Sequence, residues 1–238
     1  MHTRLFFVVF GLAIPLHAQS PREPKPDARR LQLGTDSLEV YLVRQGARQR
    51  TGTIIDRLDT VRVDGELRLQ RVYRRIDAAL GNGVDTLVDR FPDLAPRRVR
   101  SRSDDGGTEI LDWSSGRITG MVDQPGRPRR SIDTAVTPSV YSGASFDLVV
   151  RASPLTDKYD VAAPAYSGRR GGRTLTARVV GAEVLPGFGD AWRVDADYGG
   201  LSVTFWISKK SRRLLRQVVR VTPGTELLYL APQVQKKA

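Results

Sequence analysis

The sequence predicts a mainly β protein: a single curved antiparallel sheet, left incomplete as a half-barrel, with one short helix against its concave face. Three observations point there. From about Gly34 onward, short apolar-rich runs alternate with turn residues every 8 to 14 positions, the spacing of an antiparallel sheet rather than of a helix bundle or a βαβ fold. Two stretches of period-2 alternation flank Gly199-Gly200. Only Ser142–Ala152 carries helical spacing, with Phe146, Val149 and Val150 on one side, a Ser available as a cap and Pro154 beyond it.

Taken in order, the chain begins with a charged start, Met1–Arg4, an apolar stretch, Leu5–Pro15, and a small residue, Ala18. This is the pattern of a secretory signal peptide over 1–18, cleaved near Ala18. Its 11 apolar residues make a helix of only ~16 Å, about half of what a bilayer needs. Export to the periplasm is therefore expected. Residues 19–33 hold three prolines and several charges without apolar periodicity, and read as a disordered linker. The β domain should run over 34–231, with a disordered tail at 232–238.

Strands are expected at Leu38–Val43, Thr51–Val63, Leu67–Ile76, Val84–Phe91, Val99–Ser103, Glu109–Trp113 and Arg117–Asp123. In several, the apolar phase slips, as from Ile55 to Leu58 to Val61, which a bulge or strong curvature would produce. Arg57, Asp59, Arg68, Arg71 and Arg74 suit a water-facing side. In the last third, Trp192, Val194, Ala196 and Tyr198 alternate with charges, and Leu201, Val203, Phe205 and Ile207 alternate after the glycines, predicting a hairpin. Leu214–Val221 and Thr225–Leu230 complete a four-strand meander over 191–230.

The chain has two histidines and no cysteine. Both histidines, His2 and His17, lie in the leader. Once the leader is removed, Ser-His-Asp and Cys-His catalysis and His- or Cys-ligated zinc are excluded. No disulfide braces the fold despite an oxidising destination. No catalytic residue, metal or cofactor is expected. Asp104-Asp105-Gly106-Gly107 lacks the alternate ligand spacing of a calcium loop and reads as a tight turn. Gly168-Arg169-Arg170-Gly171-Gly172-Arg173 lacks the context of a phosphate-binding loop and reads as a charged hairpin loop. Glu66, Glu109 and Glu183 are candidates for a carboxylate pair, though nothing in their spacing brings them together.

Net charge is +12, and six of the 38 basic residues are Lys. A surface this basic attracts anions. Export argues for an anionic membrane surface, or an envelope molecule with an anionic head, over nucleic acid. Arg97–Arg100, Arg127–Arg130 and Lys209–Arg213 could join as one basic rim.

Val180-Gly181-Ala182-Glu183-Val184, Ala191-Trp192-Arg193-Val194, Phe205-Trp206-Ile207-Ser208 and Arg212-Arg213-Leu214-Leu215-Arg216 occur in that order. In this the chain resembles a bacterial periplasmic family of unknown function that carries one curved β-domain. The motifs match over 180–216, and the layout over roughly 36–230. That family is similar in fold to outer-membrane lipoprotein carriers. The resemblance implies the half-barrel and implies no activity.

The leading functional expectation is binding rather than catalysis: a lipid or amphipathic envelope molecule held in the half-barrel groove. Trp192, Val194, Tyr198, Leu201, Val203 and Phe205 would line the groove, Phe146 would cap or plug it, and Arg212 would stand at its mouth. A structural or adaptor protein without a ligand is the alternative, favoured if the concave face is filled. A carboxylate-dependent hydrolase is a third, favoured if two carboxylates converge in a cleft.

Overall fold

The computed structural model describes residues 21–232. The leader, the first two residues of the expected linker and residues 233–238 lie outside the described residues.

Fifteen strands form one sheet. The first eight are β1 (Gly34–Arg44), β2 (Ala47–Val63), β3 (Glu66–Asp77), β4 (Gly83–Arg90), β5 (Pro96–Ser103), β6 (Thr108–Ser114), β7 (Arg117–Asp123) and β8 (Arg130–Ala135). A two-residue strand, β9 (Tyr141–Ser142), leads through a 3-10 turn at Gly143–Ser145 into the helix α1 (Phe146–Ala152). Then follow β10 (Asp160–Ser167), β11 (Gly171–Leu185), β12 (Gly189–Asp197), β13 (Ser202–Ser208), β14 (Leu214–Thr222) and β15 (Thr225–Leu230). The strand order is β8-β7-β6-β5-β4-β3-β2-β1-β15-β14-β13-β12-β11-β10-β9. The chain meanders outward from β1 to β8, crosses to the far edge, and meanders back until β15 pairs with β1. Every pairing is antiparallel except β9 with β10. The sheet stays open, with β8 and β9 at its two ends.

The expected architecture is therefore present: one mostly antiparallel sheet, one short helix and a terminal meander from β12 to β15. The Gly199-Gly200 turn has φ of 68° and 96°, the left-handed conformation that a two-residue hairpin turn demands and glycine tolerates. Strands β8, β9, β10 and β11 are not among the strands expected from the sequence pattern, although the stretch 180–184 of β11 enters through the family resemblance. β8 buries one large side chain, Ile132, among polar residues. β10 is rich in alanine and holds Pro164, against ordinary strand propensity. The far edge of β10 is paired only at Val161, by Arg22, and at Ala165 and Tyr166, by β9. Pro164 falls between those pairings, where no partner strand requires its N–H.

Two further expectations are corrected. Residues 21–33 are not a disordered linker. Asp27 N–H bonds to the Ala152 carbonyl at the end of α1 (3.1 Å), and Ala28 N–H to the Pro92 carbonyl (2.7 Å). Ala28 and Leu31 are buried in the main core, so two apolar side chains suffice to dock a segment whose composition reads as linker. The phase slip in β2 is also not a bulge. Ile54, Asp56 and Leu58 are buried at alternate positions, and the register with β3 is unbroken there. The slip is an aspartate occupying a core position. The register shift lies earlier, opposite Val40 and Tyr41 of β1.

The helix explains that aspartate. Only seven residues long, α1 is too short to be stable alone. Phe146, Leu148, Val149, Val150 and Ala152 are fully buried. Phe146 meets Tyr198 edge-on at 5.4 Å between ring centres, while Asp147 faces β3 on the other side. The sheet therefore curves around the helix. Arg71, expected on the wet face, is 4 % exposed. It donates to both oxygens of Asp56 at 2.7 and 2.8 Å and to Asp147 at 2.7 Å. Arg151, 1 % exposed, approaches Asp56 and Asp147 at 3.7 Å and donates from Nε to the Arg212 carbonyl at 2.8 Å. Burial alone would raise the Asp56 carboxyl, but the Arg71 charge and hydrogen bond, with Arg151, hold it below the usual range. Burial opposes the Arg71 charge, yet Asp147 and Asp56 outweigh it and push that pKa well up.

Two stability predictions follow from this packing. Phe146→Ala should cost about 3–5 kcal/mol, and Asp147→Ala, which leaves guanidinium charge buried with one fewer partner, a similar amount. Urea unfolding followed by circular dichroism checks both, and an unchanged midpoint for either would contradict the assigned contact.

Asp89 gives a pH prediction. It is 1 % exposed, and burial raises its pKa to about 7, against the lowering effects of Arg71 and Ser145. The folded state therefore holds this proton more tightly than the unfolded chain, whose carboxyl titrates near 3.8. The Asp89 contribution to stability is present below about pH 4 and is lost as pH rises to about 7, by on the order of 4 kcal/mol. Across that window the unfolding free energy of Asp89→Asn should rise relative to the native protein. A difference that does not change with pH would exclude Asp89 as the titrating group.

Candidate functional site

The inner face of the terminal hairpin is divided by the helix. Val194, Val203 and Phe205 pack with Phe146 in the main core. Those four expected groove residues are thus covered, and Phe146 acts as a plug rather than a cap over open space. Trp192 is half-buried beneath the Lys209 ammonium, 4.0 Å above its ring. Arg212 lies in the β13–β14 turn near the C-terminal end of α1, its carbonyl taken by Arg151. Tyr198 and Leu201, at the β12–β13 tip, lie at the opposite end of the helix. Of the eight expected site residues, these two line the cavity beside the N-terminal end of α1.

That cavity has a volume of about 330 Å³. It opens beside the N-terminal end of α1, where Ser142, Gly143 and Ala144 form part of its wall. Tyr73, Leu175, Tyr198 and Leu201 give it an apolar side continuous with the core. Arg75, Arg102, Arg169, Arg170 and Arg173 bring positive charge, and Asp85 and Glu109 bring negative charge. The polar wall comes from strand register. Tyr73, Asp85, Ser101 and Glu109 are neighbours across β3, β4, β5 and β6, so one inward-facing row crosses four strands.

Glu109 is committed to structure. Its Oε1 accepts from Gly168 N–H at 2.9 Å, and its Oε2 lies 3.7 Å from Arg169 Nε. Burial raises its pKa, offset in part by those contacts. The β10–β11 turn comes so close that a Cβ at Gly168 would lie 2.6 Å from Val122 and 3.1 Å from the Glu109 carboxyl carbon. Glycine is needed there for that approach. Arg130 donates to the Gly168 carbonyl. The charged hairpin loop that the sequence suggests is confined to Gly168–Arg170, with Gly171–Arg173 already in β11, and Asp104–Gly107 is the tight β5–β6 turn, closed by Gly106 N–H to the Ser103 carbonyl at 3.0 Å.

Arg75 and Arg173 are differently placed. Arg75 Nε donates to the Gly81 carbonyl at 2.8 Å, and Arg173 Nη1 to the Gly199 carbonyl at 2.7 Å. Carbonyls orient a guanidinium without neutralising it. Among the described residues, neither arginine forms an ion pair, whereas Arg98 and Arg100 are tied to Asp112.

Of the expected basic rim, Arg98 and Arg100 are tied to Asp112, Arg130 donates to the Gly168 carbonyl, and Lys209–Arg213 stand at the far end of the helix, while Arg169, Arg170 and Arg173, outside that rim, stand at the cavity. The three candidate glutamates do not meet. Glu66 pairs with Arg68, Glu183 accepts from the Trp206 indole, and Glu109 lines the cavity. Sequence reading misses Tyr73, Asp85, Arg75 and Arg173 as site residues. For Asp85 and Arg173 the available signal was their phase, two residues from the apolar Leu87 and Leu175; for Tyr73 and Arg75 the in-phase neighbour is Arg71, whose own burial the sequence hides. Among the described residues, no group of His, Cys, Asp or Glu is arranged to hold a metal ion, and no helix is long and apolar enough to cross a membrane.

Comparison with known proteins agrees with this architecture. The solved beta-barrel-like protein of domain of unknown function DUF1849 from Brucella abortus is similar in fold, with a TM-score of 0.50 at 9 % identity over 90 % of this chain and 98 % of that one. No curated protein matches the chain by sequence. The family model DUF3108, a protein of unknown function, matches residues 40–229, which takes in nearly the whole sheet and all of α1, and the chain belongs to that family.

Proposed function

We propose that this is an exported, periplasmic binding protein without catalytic activity, which holds an amphipathic envelope molecule by its anionic group. The binding place is the cavity at the N-terminal end of α1 rather than the groove along the hairpin. One observation carries the reading: Arg75 and Arg173, oriented by carbonyls and free of ion pairs among the described residues, face a concave space whose other side is Tyr73, Tyr198, Leu175 and Leu201. A site of this kind pairs a few placed polar groups with an apolar surface. Its volume suits a headgroup and the first carbons of a tail, since the helix occupies the space further in. Export, read from the leader, supplies the compartment in which such molecules occur. Catalysis has little support, because the one buried glutamate of the cavity holds a turn.

A second reading, an adaptor without a ligand, is favoured by the filled concave face over Val194, Val203 and Phe205. Calorimetric titration with soluble dihexanoyl phospholipids, phosphatidylglycerol and phosphatidylethanolamine, separates the two. Binding is expected in the native protein. Arg173→Glu should weaken it by about tenfold, ~1.4 kcal/mol, and less at high salt, where exposed charges are screened over a few ångströms. Arg212→Glu, at the other end of the helix, should leave it unchanged. No binding of either lipid, or equal loss from both substitutions, would leave the adaptor reading in its place.

A further inference from the structure

Asp85 does not fit a purely anion-binding cavity. It lies on β4 in phase with the buried Leu87 and Asp89, it lines the cavity, and its charge acts on Glu109 across the cavity wall. Among the described residues it forms no ion pair and no side-chain hydrogen bond, although five arginines line the cavity. An anionic head held by Arg75 and Arg173 would face this carboxylate unscreened, and like charges in a partly enclosed site repel more strongly than in water. A purely cationic ligand would meet the arginines. The residues left unpaired are of both signs, and a ligand carrying both signs matches them.

The spacing is set by the sheet. Arg75 is in register with Gly83, and Gly83 and Asp85 are two residues apart on one strand, about 6.6 Å at ~3.3 Å per residue. Arg75 also reaches across Gly83, its Nη2 lying 3.3 Å from where a Cβ at that glycine would stand. A positive and a negative group are thereby held about two strand positions apart on one wall, with Arg173 opposite, beside Gly199 at the hairpin tip. Glu109 and Arg169 already face each other, while Arg102 and Arg170 add further positive charge to the wall and leave Asp85 as its one unpaired carboxylate among the described residues.

We propose that the cavity recognises a zwitterionic phosphoamine head, the phosphate between Arg75 and Arg173 and the ammonium against Asp85. This rests on the binding function proposed above and names the class of head bound there. Its source is either a free phosphoamine or the head of a phospholipid, whose proximal tail carbons would meet Tyr198 and Leu201.

The test is calorimetric titration of the full mature chain with four probes: O-phosphoethanolamine, glycerol 3-phosphate, dihexanoyl phosphatidylethanolamine and dihexanoyl phosphatidylglycerol. The phosphoamine of each pair should bind about tenfold more tightly than its amine-free counterpart. Asp85→Asn, close in size and checked for an unchanged circular dichroism spectrum and melting temperature, should remove that preference and leave the amine-free probes as tight or tighter. Tighter binding of the lipid than of O-phosphoethanolamine identifies a lipid head, and equal binding identifies the free phosphoamine; both support the proposal. Equal or tighter binding of the amine-free probes, or a preference that survives Asp85→Asn, overturns it and leaves the anion-binding function intact. Binding of none of the four overturns both.

Discussion

Two arginines and two aspartates, almost wholly withdrawn from water, decide where the helix lies. Apolar contact alone would let seven residues of helix slide or turn along an apolar sheet face, because dispersion and burial are not directional. The Arg71 fork, by contrast, has one geometry that reaches Asp56 on β2 and Asp147 on the helix together. Arg151 closes the cluster from the helix side and continues through the Arg212 carbonyl to the β13–β14 turn. Taking these charges from water is costly, and a well-packed apolar replacement could match their stability. What the cluster supplies here is position: the helix is fixed along its length and about its axis, with strands on both flanks.

The candidate site follows from that position. A seven-residue helix is roughly 10 Å long, shorter than the strands beside it, so it fills the middle of the concave face and leaves its ends. At the C-terminal end, the β13–β14 turn and the segment around Asp27 close over it. At the N-terminal end, β9 and the β12–β13 tip stand back, and the cavity occupies the interval. The same hairpin thus supplies core residues along most of its length and site residues only at its tip.

The topology makes this arrangement possible. β1 and β15 lie next to each other near the middle of the sheet, so two meanders grow outward from one junction and their distant parts curl toward the helix from either side. The turn at Gly168 then approaches β6 and β7 closely enough that Glu109 and Arg130 hold its backbone. An open sheet acquires a partly enclosed interior without hydrogen-bonding its two edge strands together.

The sequence by itself determined the secondary structure of the better-patterned strands, the single helix with its buried Phe146, the terminal meander, and the absence of cysteine and of any histidine beyond His17. These are local properties: alternation, turn residues and composition act over a few positions and need no partner. It also put Tyr198 and Leu201 on an inward face. Only the tertiary structure decided that Val194, Val203 and Phe205 on that same face are core, because the covering helix lies some fifty residues earlier in the chain. The buried charges were illegible for a related reason. Asp56 and Arg71 break the apolar alternation of their own strands, and an isolated strand offers no way to tell a misplaced polar residue from a paired one. Their partners, Asp147 and Arg151, are on another element, as the residues facing Asp85 and Arg75 across the cavity are on others still. Periodicity indicates which way a side chain points, whereas its charge partner, and the space left in front of it, are fixed only when the sheet closes around the helix.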